Sequence, residues 1–318
     1  VVGAGLTGCL TAAMLRRSVP ELDIELWERA TYPSGRFGAG QPGVDLGAQV
    51  LSVIEVDSGH PNAGADGHNL KSTDLCAAWE DVQLMVSQGW LCRASEEQLA
   101  DTEERMKYQG LWAHFWCLRG FSWLLQQWSA AAQLRPRRVE RVRTTEATVE
   151  LCATERPSGQ LRDEADLVIL AVPAPEVLRL APDLPEPVRA ALRQIRYDGR
   201  VAVALTLEHA TYPAVSAAFA GAAEVSLDLG DTGGDVHLVA WQNMKRGPVA
   251  HGDPMQLVVH STCGAEWRGP EALKAVSGFC GLPLEQLEGL LVSSKVIDWK
   301  ICQMVQPLES IPTTLRLP

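Results

Sequence analysis

The chain has 318 residues, of which 46% are apolar and 21% are charged, as in a globular protein with a sizeable core. Its formal net charge of -11 argues against a general surface for nucleic-acid phosphates, and no apolar run is long enough to span a bilayer. We therefore expect a soluble protein of two connected domains, with a small molecule as its partner and with neither nucleic acid nor membrane.

The eight cysteines have neither C-x-x-C nor metal-finger spacing, and most lie in apolar surroundings. This pattern predicts free thiols in the cytoplasm or another reducing compartment. The sequence begins at Val1 without an initiator methionine, so a signal or transit peptide would lie upstream of it.

The chain opens on a motif typical of the first turn of a dinucleotide-binding domain. Val1 and Val2 end a strand, and glycines follow at G-x-G-x-x-G spacing before a helix over residues 9–17. The first glycine permits the turn, the second lets a pyrophosphate approach the backbone, and the third lets helix and strand pack closely. The helix N-terminus faces the phosphate charge. The predicted cofactor-binding residues here are Gly3, Ala4, Gly5, Leu6, Thr7 and Gly8.

An acidic residue follows where the motif requires one. The run from Ile24 to Glu28 has the pattern of a second strand, and Glu28 ends it where a carboxylate hydrogen-bonds a ribose hydroxyl. The order of strand, helix, strand and acid favours dinucleotide binding. The alternative is a structural glycine turn in an unrelated α/β domain.

Residues 29–50 form a long glycine-rich loop, and such a loop inside a nucleotide domain is usually functional. It contains S-G-R at residues 34–36 and D-L-G-A-Q at residues 45–49. Its arginine can bind a pyrophosphate through charge-assisted hydrogen bonds, and its glycines let the backbone approach a flat ring. A surface loop with a solvated arginine is the alternative.

The glycine turn, the acid, the G-R pair and D-L-G-A-Q together resemble the flavin-containing amine oxidase superfamily. The D-L-G-A-Q form is most similar to its renalase branch. Members commonly have two glycines before the arginine, and Ser34 replaces the first of them here. The resemblance implies FAD as the cofactor, and it completes the set of cofactor-binding residues with Glu28, Arg29, Gly35, Arg36 and Gln49.

The following segments are assigned by composition and periodicity. Residues 52–71 are polar and glycine-rich, which predicts an inserted loop. Its histidines, His60 and His68, lack a third ligand at useful spacing, so no metal site is predicted. Apolar residues at helical spacing predict a core-facing helix from Leu75 to Gln88.

The resemblance assigns the return to the dinucleotide domain. It implies a helix over residues 120–132 and, after it, a strand in which the backbone of Val139 pairs with the adenine. Residues 148–161 have the pattern of a hairpin. Residues 166–176, D-L-V-I-L-A-V-P-A-P-E, form a buried strand that resembles the family strand leading back to the flavin, so Pro173 is expected near the cofactor.

A second domain is predicted from several strand-like runs after residue 196. They favour an antiparallel sheet that covers the flavin face and defines the substrate. The runs are residues 201–207, 236–241 and 256–260.

The candidate catalytic residues lie in this domain. Asn243 and Lys245 either touch a polar or phosphorylated substrate or are turn and surface residues. His260 resembles a family histidine, and catalysis and a hydrogen-bonded core role are both open. Trp299 resembles the family tryptophan close to the flavin, and we place it on the substrate side.

These assignments predict an α/β fold (α+β overall) of the amine-oxidase kind, with a Rossmann-type FAD-binding domain and an antiparallel-sheet substrate domain. Family members continue with a glycine-aspartate segment and a helix facing the pyrimidine end of the flavin, whereas this sequence ends at Pro318. The predicted FAD-binding domain is 1–75 and 120–182, the substrate domain is 76–119 and 183–300, and a truncated return segment is 301–318.

The resemblance implies an oxidase in which FAD accepts a hydride from 2- or 6-dihydro isomers of NAD(P)H. Electrons pass to O2, giving NAD(P)+ and hydrogen peroxide. Hydride transfer to a flavin needs little acid-base help from the protein, which agrees with the absence of a Ser-His-Asp or Cys-His pattern in the sequence. Two alternatives stay open: a flavin amine oxidase, and a binding protein that keeps the fold without turnover.

Overall fold

The computed structural model describes most of the chain, in residues 1–33, 35–37, 44–55, 72–99, 112–155, 159–226, 236–247, 249–262, 264 and 267–306. Its helices and strands are, in chain order, α1 (Leu6–Ser18), β1 (Glu25–Glu28), β2 (Leu51–Ile54), α2 (Ser72–Ser87), β3 (Leu91–Arg93), β4 (Trp112–Cys117), α3 (Phe121–Ser129), β5 (Gln133–Thr144), β6 (Val149–Glu155), β7 (Gly159–Ala165), α4 (Ala174–Leu180), α5 (Glu186–Gln194), β8 (Arg196–Tyr197), β9 (Arg200–Leu207), α6 (Tyr212–Phe219), β10 (Glu224–Ser226), β11 (Val236–Trp241), β12 (Met255–Ser261), α7 (Gly269–Cys280), α8 (Leu284–Gly289), β13 (Leu291–Trp299) and β14 (Met304–Gln306).

The chain separates into two compact units, each made of discontinuous segments. Unit 1 comprises Val1–Gly40, Ser122–Arg200 and Trp299–Pro318, and unit 2 comprises Gln41–Phe121 and Val201–Asp298. These boundaries differ from the predicted domains mainly in two places: residues 44–55 belong to unit 2, and residues 183–200 belong to unit 1. The first difference arises from hydrogen bonds between residues 45–49 and the side chains of residues 242–260.

Unit 1 contains a parallel sheet with Val2 at its centre. Val2 is bridged in parallel to Trp27 on one side and to Leu170 on the other. The Val2 N–H donates to the Ile169 carbonyl (2.9 Å), and the Ala171 N–H donates to the Val2 carbonyl (2.8 Å). β1 pairs in parallel with β5, which continues into an antiparallel ladder with β6 and β7. The glycine turn therefore opens at the carboxyl ends of parallel strands, where α/β sheets bind ligands.

The strand predicted over residues 166–176 is less buried than expected. Leu167 is 71% exposed, and the segment joins the sheet only around residues 169–171, beside Val2. Within the described part of the chain, the segment around Val2 is the one strand that pairs with it. Its apolar side chains are therefore partly exposed to solvent. The prediction of a buried strand is therefore wrong. Pro173 is the N-cap of α4, so residues 174–176 of the predicted strand are helical.

Unit 2 contains an antiparallel sheet with the strand order β10-β11-β12-β9-β13. Its central register pairs Val258 of β12 with Ala204 of β9 and with Ala240 of β11. Side chains from α6, α7 and α8 pack with the sheet residues in the main apolar core, which includes Phe219, Leu273 and Leu287. The antiparallel sheet predicted for the second domain is confirmed.

Several smaller elements follow the sequence patterns, but residues 52–54 of the predicted inserted loop belong to β2. The helix predicted from residue 75 to residue 88 is α2, the helix predicted over residues 120–132 contains α3, and the predicted hairpin is β6 with β7. A three-stranded sheet of order β2-β4-β3 completes unit 2. The predicted positions Ser34, His60, His68, Pro157 and Ser158 lie outside the described residues.

The cysteines in the described stretches are all free thiols: Cys9, Cys92, Cys117, Cys152, Cys280 and Cys302. None of the helices within those stretches combines the length and the hydropathy that a membrane span requires.

Candidate functional site

The turn between Val2 and α1 depends on glycine at two positions. Gly3 has a φ of +98°, and a Cβ there would lie 2.7 Å from the Ala171 carbonyl oxygen. A Cβ on Gly8 would lie 1.8 Å from the Gly3 carbonyl oxygen. Both distances are shorter than any real contact, so the close packing of helix, turn and strand requires these residue types.

Gly5 has a different role, because the space beside it is open. It is the N-cap of α1, with a φ of -82° that any residue adopts, and the atom nearest to an added Cβ is the Gly35 Cα at 4.0 Å. The first turn of α1 has neither a side-chain cap nor an acidic residue. Its leading N–H groups and the positive end of the helix dipole are therefore free to bind a phosphate. This cradle fits the pyrophosphate of FAD.

Glu28 is fixed at the end of β1, beside the glycine turn. One carboxylate oxygen accepts the Ala4 N–H (2.8 Å), and the other accepts the Ala30 N–H (3.1 Å). Each oxygen of a carboxylate can accept a further hydrogen bond. The carboxylate is thus pre-oriented, with acceptor capacity left for a ribose hydroxyl.

The arginines predicted to bind the cofactor lie on the surface of unit 1. Arg29 and Arg36 are exposed, and Nη1 of Arg36 donates to the Cys302 carbonyl. Gly35 has a φ of +50°, and a Cβ there would lie 3.0 Å from the Gly5 Cα. The G-R pair therefore lies against the phosphate cradle, with the Arg36 guanidinium held by the backbone of the return segment.

Val139 and Pro173 also belong to unit 1. Val139 is 5% exposed and pairs with Ala153 across β5 and β6, and it packs in one apolar cluster with Val2 and Trp27. Pro173 lies at the start of α4 and is partly buried. Val139 is thus fixed in the same core as the strand that precedes the glycine turn.

In unit 2, residues 44–49 form a buried segment that we call the Asp45 loop. Ala48 is its one half-buried residue, and the others are buried. Among the described residues the loop pairs with no strand, so its polar backbone groups need other partners. The Asp45 N–H donates to Gln242 Oε1 (3.0 Å), and the Leu46 carbonyl accepts Nε2 of His260 (2.7 Å).

Both polar atoms of the Gln49 side chain are hydrogen-bonded. Its Nε2 donates to the Asp45 and Gly47 carbonyls. Its Oε1 accepts Gln242 Nε2 (2.7 Å) and Lys245 Nζ (2.6 Å). The side-chain amide is therefore saturated, and a cofactor can meet Gln49 only through its backbone.

Lys245 is a buried residue, 2% exposed, so the alternative that made it a surface residue is wrong. Its Nζ donates to the Gln49 carbonyl (3.1 Å) and lies 2.9 Å from Glu224 Oε1. Burial lowers the pKa of Lys245, although the Glu224 and Asp45 carboxylates raise it. The oxygen acceptors around Nζ offset part of the cost of burying this group.

Asp45 links the loop to Phe121, the first residue of α3. Its Oδ1 accepts the Phe121 N–H (2.7 Å), and its Oδ2 lies 4.0 Å from Arg246 Nη2. Burial raises the pKa of Asp45, and Lys245, the Phe121 N–H and Arg246 oppose this rise.

The candidate catalytic residues differ in how much of each side chain is already bonded. His260 donates from Nε2 to the Leu46 carbonyl, and burial lowers the pKa of His260 to about 4, so the imidazole is neutral near pH 7. Asn243 binds backbone at both ends of its amide, donating to the Pro254 carbonyl (3.1 Å) and accepting the Gln256 N–H (2.7 Å). Trp299 ends β13 and is half-buried.

The sequence reasoning missed Gln242 and Glu224. Gln242 follows the buried strand β11 and is fully buried, and Glu224 begins β10 with 1% exposure. Polar residues within or directly after a strongly apolar strand are the signal that could have identified them, because such groups require specific partners.

Known families and structures agree with this geometry. A family model described as an NAD(P)-binding Rossmann-like domain matches residues 1–58, and one described as flavin containing amine oxidoreductase matches residues 66–251. No curated protein sequence matches the chain.

Solved structures share the fold at low sequence identity. An oxidoreductase from Methanosarcina mazei is 15% identical, with a TM-score of 0.50 over 95% of this chain and 89% of that one. A single and a double mutant of putrescine oxidase, from a structure-based redesign of its cofactor binding, are 15% and 14% identical. Each has a TM-score of 0.54 over 93% of this chain and 83% of its own. Because the second family model covers more than half of the sequence, the protein belongs to the flavin containing amine oxidoreductase family and is an FAD-dependent oxidase.

Proposed function

We propose that the protein oxidises 2- or 6-dihydro isomers of NAD(P)H to NAD(P)+ and reduces O2 to hydrogen peroxide. The observation that carries an FAD-dependent reaction is the open phosphate cradle at Gly5, beside the oriented carboxylate of Glu28. The choice of substrate is supported by the similarity of residues 45–49, D-L-G-A-Q, to the renalase branch of the family.

In this proposal the residues of unit 1 bind and orient the cofactor. The N–H groups at the start of α1 bind the pyrophosphate, Glu28 accepts a ribose hydroxyl, and the backbone of Val139 pairs with the adenine. Arg36 and Arg29 add positive charge at the phosphate end. Bound FAD supplies the acceptor for a two-electron hydride transfer.

Unit 2 is the proposed substrate domain, and its titratable groups support hydride transfer without a protein base. His260 is neutral and bonded to the Leu46 carbonyl, and Lys245 is bonded to Gln49 and Glu224. Both groups are engaged in holding the Asp45 loop. Of the predicted catalytic residues, Trp299, the first residue of the last segment of unit 1, is the one we propose for contact with the substrate ring. His260 and Asn243 of unit 2 instead bind backbone groups.

The second candidate function is oxidation of a primary or secondary amine. The family model itself favours it, because it describes amine oxidoreductases. The cofactor cradle serves both reactions equally, so it does not distinguish their substrates.

A reductive titration of the FAD-loaded protein distinguishes the two. We expect anaerobic addition of 2- or 6-dihydro NAD(P)H to bleach the flavin absorption, and air to restore it with release of hydrogen peroxide. The ordinary 4-dihydro isomer and a panel of primary and secondary amines are the comparison substrates. Bleaching by amines alone would show that the protein is an amine oxidase. Bleaching by none of these compounds would contradict both proposals.

A further inference from the structure

Asp198 is a buried acidic residue of unit 1 that directly follows β8. Its side chain is 3% exposed. Nε of Arg200 donates to Oδ2 (3.0 Å), and the Gln303 N–H donates to Oδ1 (2.8 Å). A buried carboxylate requires such partners, because it has lost its hydration. One of the two donors is therefore a backbone group of the segment that connects β13 to β14.

This connection consists of residues 300–303, and we call it the Cys302 turn. The backbone of Asp198 binds it as well as the side chain does. The Asp198 N–H donates to the Gln303 carbonyl (2.9 Å), and the Cys302 N–H donates to the Asp198 carbonyl (2.8 Å). Asp198 thus makes three hydrogen bonds to two successive residues of the turn. The conformation of the Cys302 turn depends on this one residue to an unusual degree.

The Cys302 turn in turn binds Arg36, whose Nη1 donates to the Cys302 carbonyl. A guanidinium has five N–H donors, so one bond to a carbonyl leaves donors for a phosphate. Arg36 is an exposed residue. An exposed arginine samples many rotamers and loses this freedom when it binds a ligand. The contact with the Cys302 carbonyl restricts the guanidinium before any ligand arrives.

The residue before Arg36 contacts the phosphate cradle. A Cβ on Gly35 would lie 3.0 Å from the Cα of Gly5, the N-cap of α1. Arg36 is therefore attached beside the open N–H groups at the start of α1. The cradle, Arg36 and the Cys302 turn all belong to unit 1, so the whole chain of contacts lies within one compact unit.

We propose that Asp198 is a positioning residue for the binding of FAD. It fixes the Cys302 turn, whose carbonyl oxygen orients the Arg36 guanidinium beside the pyrophosphate cradle. Asp198 itself touches the turn and Arg200, and it acts on the cofactor through Arg36. This inference rests on the proposed function, because it takes the cradle and Arg36 to bind the pyrophosphate.

A small set of variants separates positioning from simple stabilisation. Asp198→Ala removes the side-chain acceptor of the Gln303 N–H, whereas Asp198→Asn keeps an oxygen for it. Arg36→Met removes the guanidinium, and the double variant combines Asp198→Ala with Arg36→Met. Asp166→Ala, which changes an exposed aspartate of unit 1, controls for the loss of a negative charge.

Amide hydrogen exchange at Gln303 is the first measurement, and it needs no bound FAD. We expect exchange about tenfold faster in Asp198→Ala, because the N–H loses its acceptor. Asp198→Asn and Asp166→Ala should stay within about threefold of the native protein. Exchange at the native rate in Asp198→Ala would overturn the proposal, since the turn would then not depend on this carboxylate.

The affinity for FAD, measured by flavin titration, is the second measurement. We expect Asp198→Ala to weaken binding about fivefold, because Arg36 then loses more side-chain freedom on binding. Asp198→Asn should weaken it by less than about twofold, and Arg36→Met by about tenfold. The double variant should bind within about twofold of Arg36→Met alone, because without the guanidinium Asp198 has nothing to orient.

The double variant decides between the two roles. Losses of affinity that add in it would overturn the proposal, since a purely structural effect of Asp198 does not require Arg36. Native affinity in Asp198→Ala would overturn it as well. A native protein that binds no FAD would contradict the proposed function together with this inference, whereas native FAD binding with additive losses would contradict the inference alone.

Discussion

The glycine turn of residues 3–8 and the Asp45 loop are both irregular segments, but they are built in opposite ways. The glycine turn is determined by backbone sterics, since Gly3 and Gly8 leave no space for a Cβ. The Asp45 loop is determined by side chains of residues 242–260, which satisfy its buried backbone. The glycine turn is thus constrained by backbone contacts of its own glycines, with Gly8 against Gly3 and Gly3 against Ala171, whereas the Asp45 loop is constrained by side chains.

The largest expected effect breaks the turn at Gly8. Gly8→Ala places a Cβ 1.8 Å from the Gly3 carbonyl oxygen, so we expect the free energy of unfolding to fall by more than about 3 kcal/mol. Gly278→Ala is the matched control, because this glycine of α7 has nothing within 4 Å of an added Cβ. The control should gain about 1 kcal/mol from helix propensity. Urea denaturation measures both, and similar values for the two would contradict the steric account.

The next largest expected effect is a pH dependence of the free energy of unfolding, caused by His260, which binds the Asp45 loop. The pKa of His260 is lowered from 6.5 to about 4 in the folded state, so the unfolded chain binds this proton first as pH falls. The contribution of neutral His260 to the free energy of unfolding is therefore fully present above pH 6.5, and it is lost as the pH falls from 6.5 to 4. Linkage gives a loss of up to about 3 kcal/mol.

Thermal melts at pH 7 and pH 4.5 measure this loss, and His260→Gln is the control. Glutamine keeps a donor for the Leu46 carbonyl but does not titrate, so part of the pH dependence should disappear in that variant. Identical pH profiles for the native protein and His260→Gln would show that His260 is not a buried neutral group.

A smaller effect is expected at the other end of the loop. Asp45→Ala removes the acceptor for the Phe121 N–H at the start of α3, and loss of such a cap costs about 2 kcal/mol. Asp45→Asn keeps an oxygen there, and burial already raises the pKa of Asp45 toward the neutral form. We therefore expect the asparagine variant to lose less than about 1 kcal/mol. Stability is measured by chemical denaturation. A lower free energy of unfolding for Asp45→Asn than for Asp45→Ala would contradict a capping role of Asp45.

The sequence was sufficient for features that depend on neighbours along the chain. The spacing of Gly3, Gly5 and Gly8 predicted the turn. The pattern of residues 24–28 predicted a strand that ends at Glu28. The apolar runs of β9, β11 and β12 predicted the antiparallel sheet. Each of these signals is local, because motif spacing and strand periodicity are patterns of residues close in sequence.

The sequence was insufficient where the partner of a polar group lies far along the chain. Lys245 lies 196 residues from Gln49 in the sequence, and only the fold brings its ammonium group to Gln49 and Glu224. Burial of the strand at Leu167 was also overestimated, since an apolar run does not reveal how many strands flank it. Tertiary pairing of this kind leaves no periodic signal in the sequence.

The most direct test of the central claim is the affinity of Gly5→Ala for FAD. Alanine fits the backbone at this N-cap and costs less than about 1 kcal/mol of stability, but its methyl group occupies the phosphate cradle. The account predicts that flavin titration of this variant shows binding at least about tenfold weaker than the native protein, with a nearly unchanged melting temperature. Native affinity in Gly5→Ala would contradict the assignment of this turn to the pyrophosphate of FAD.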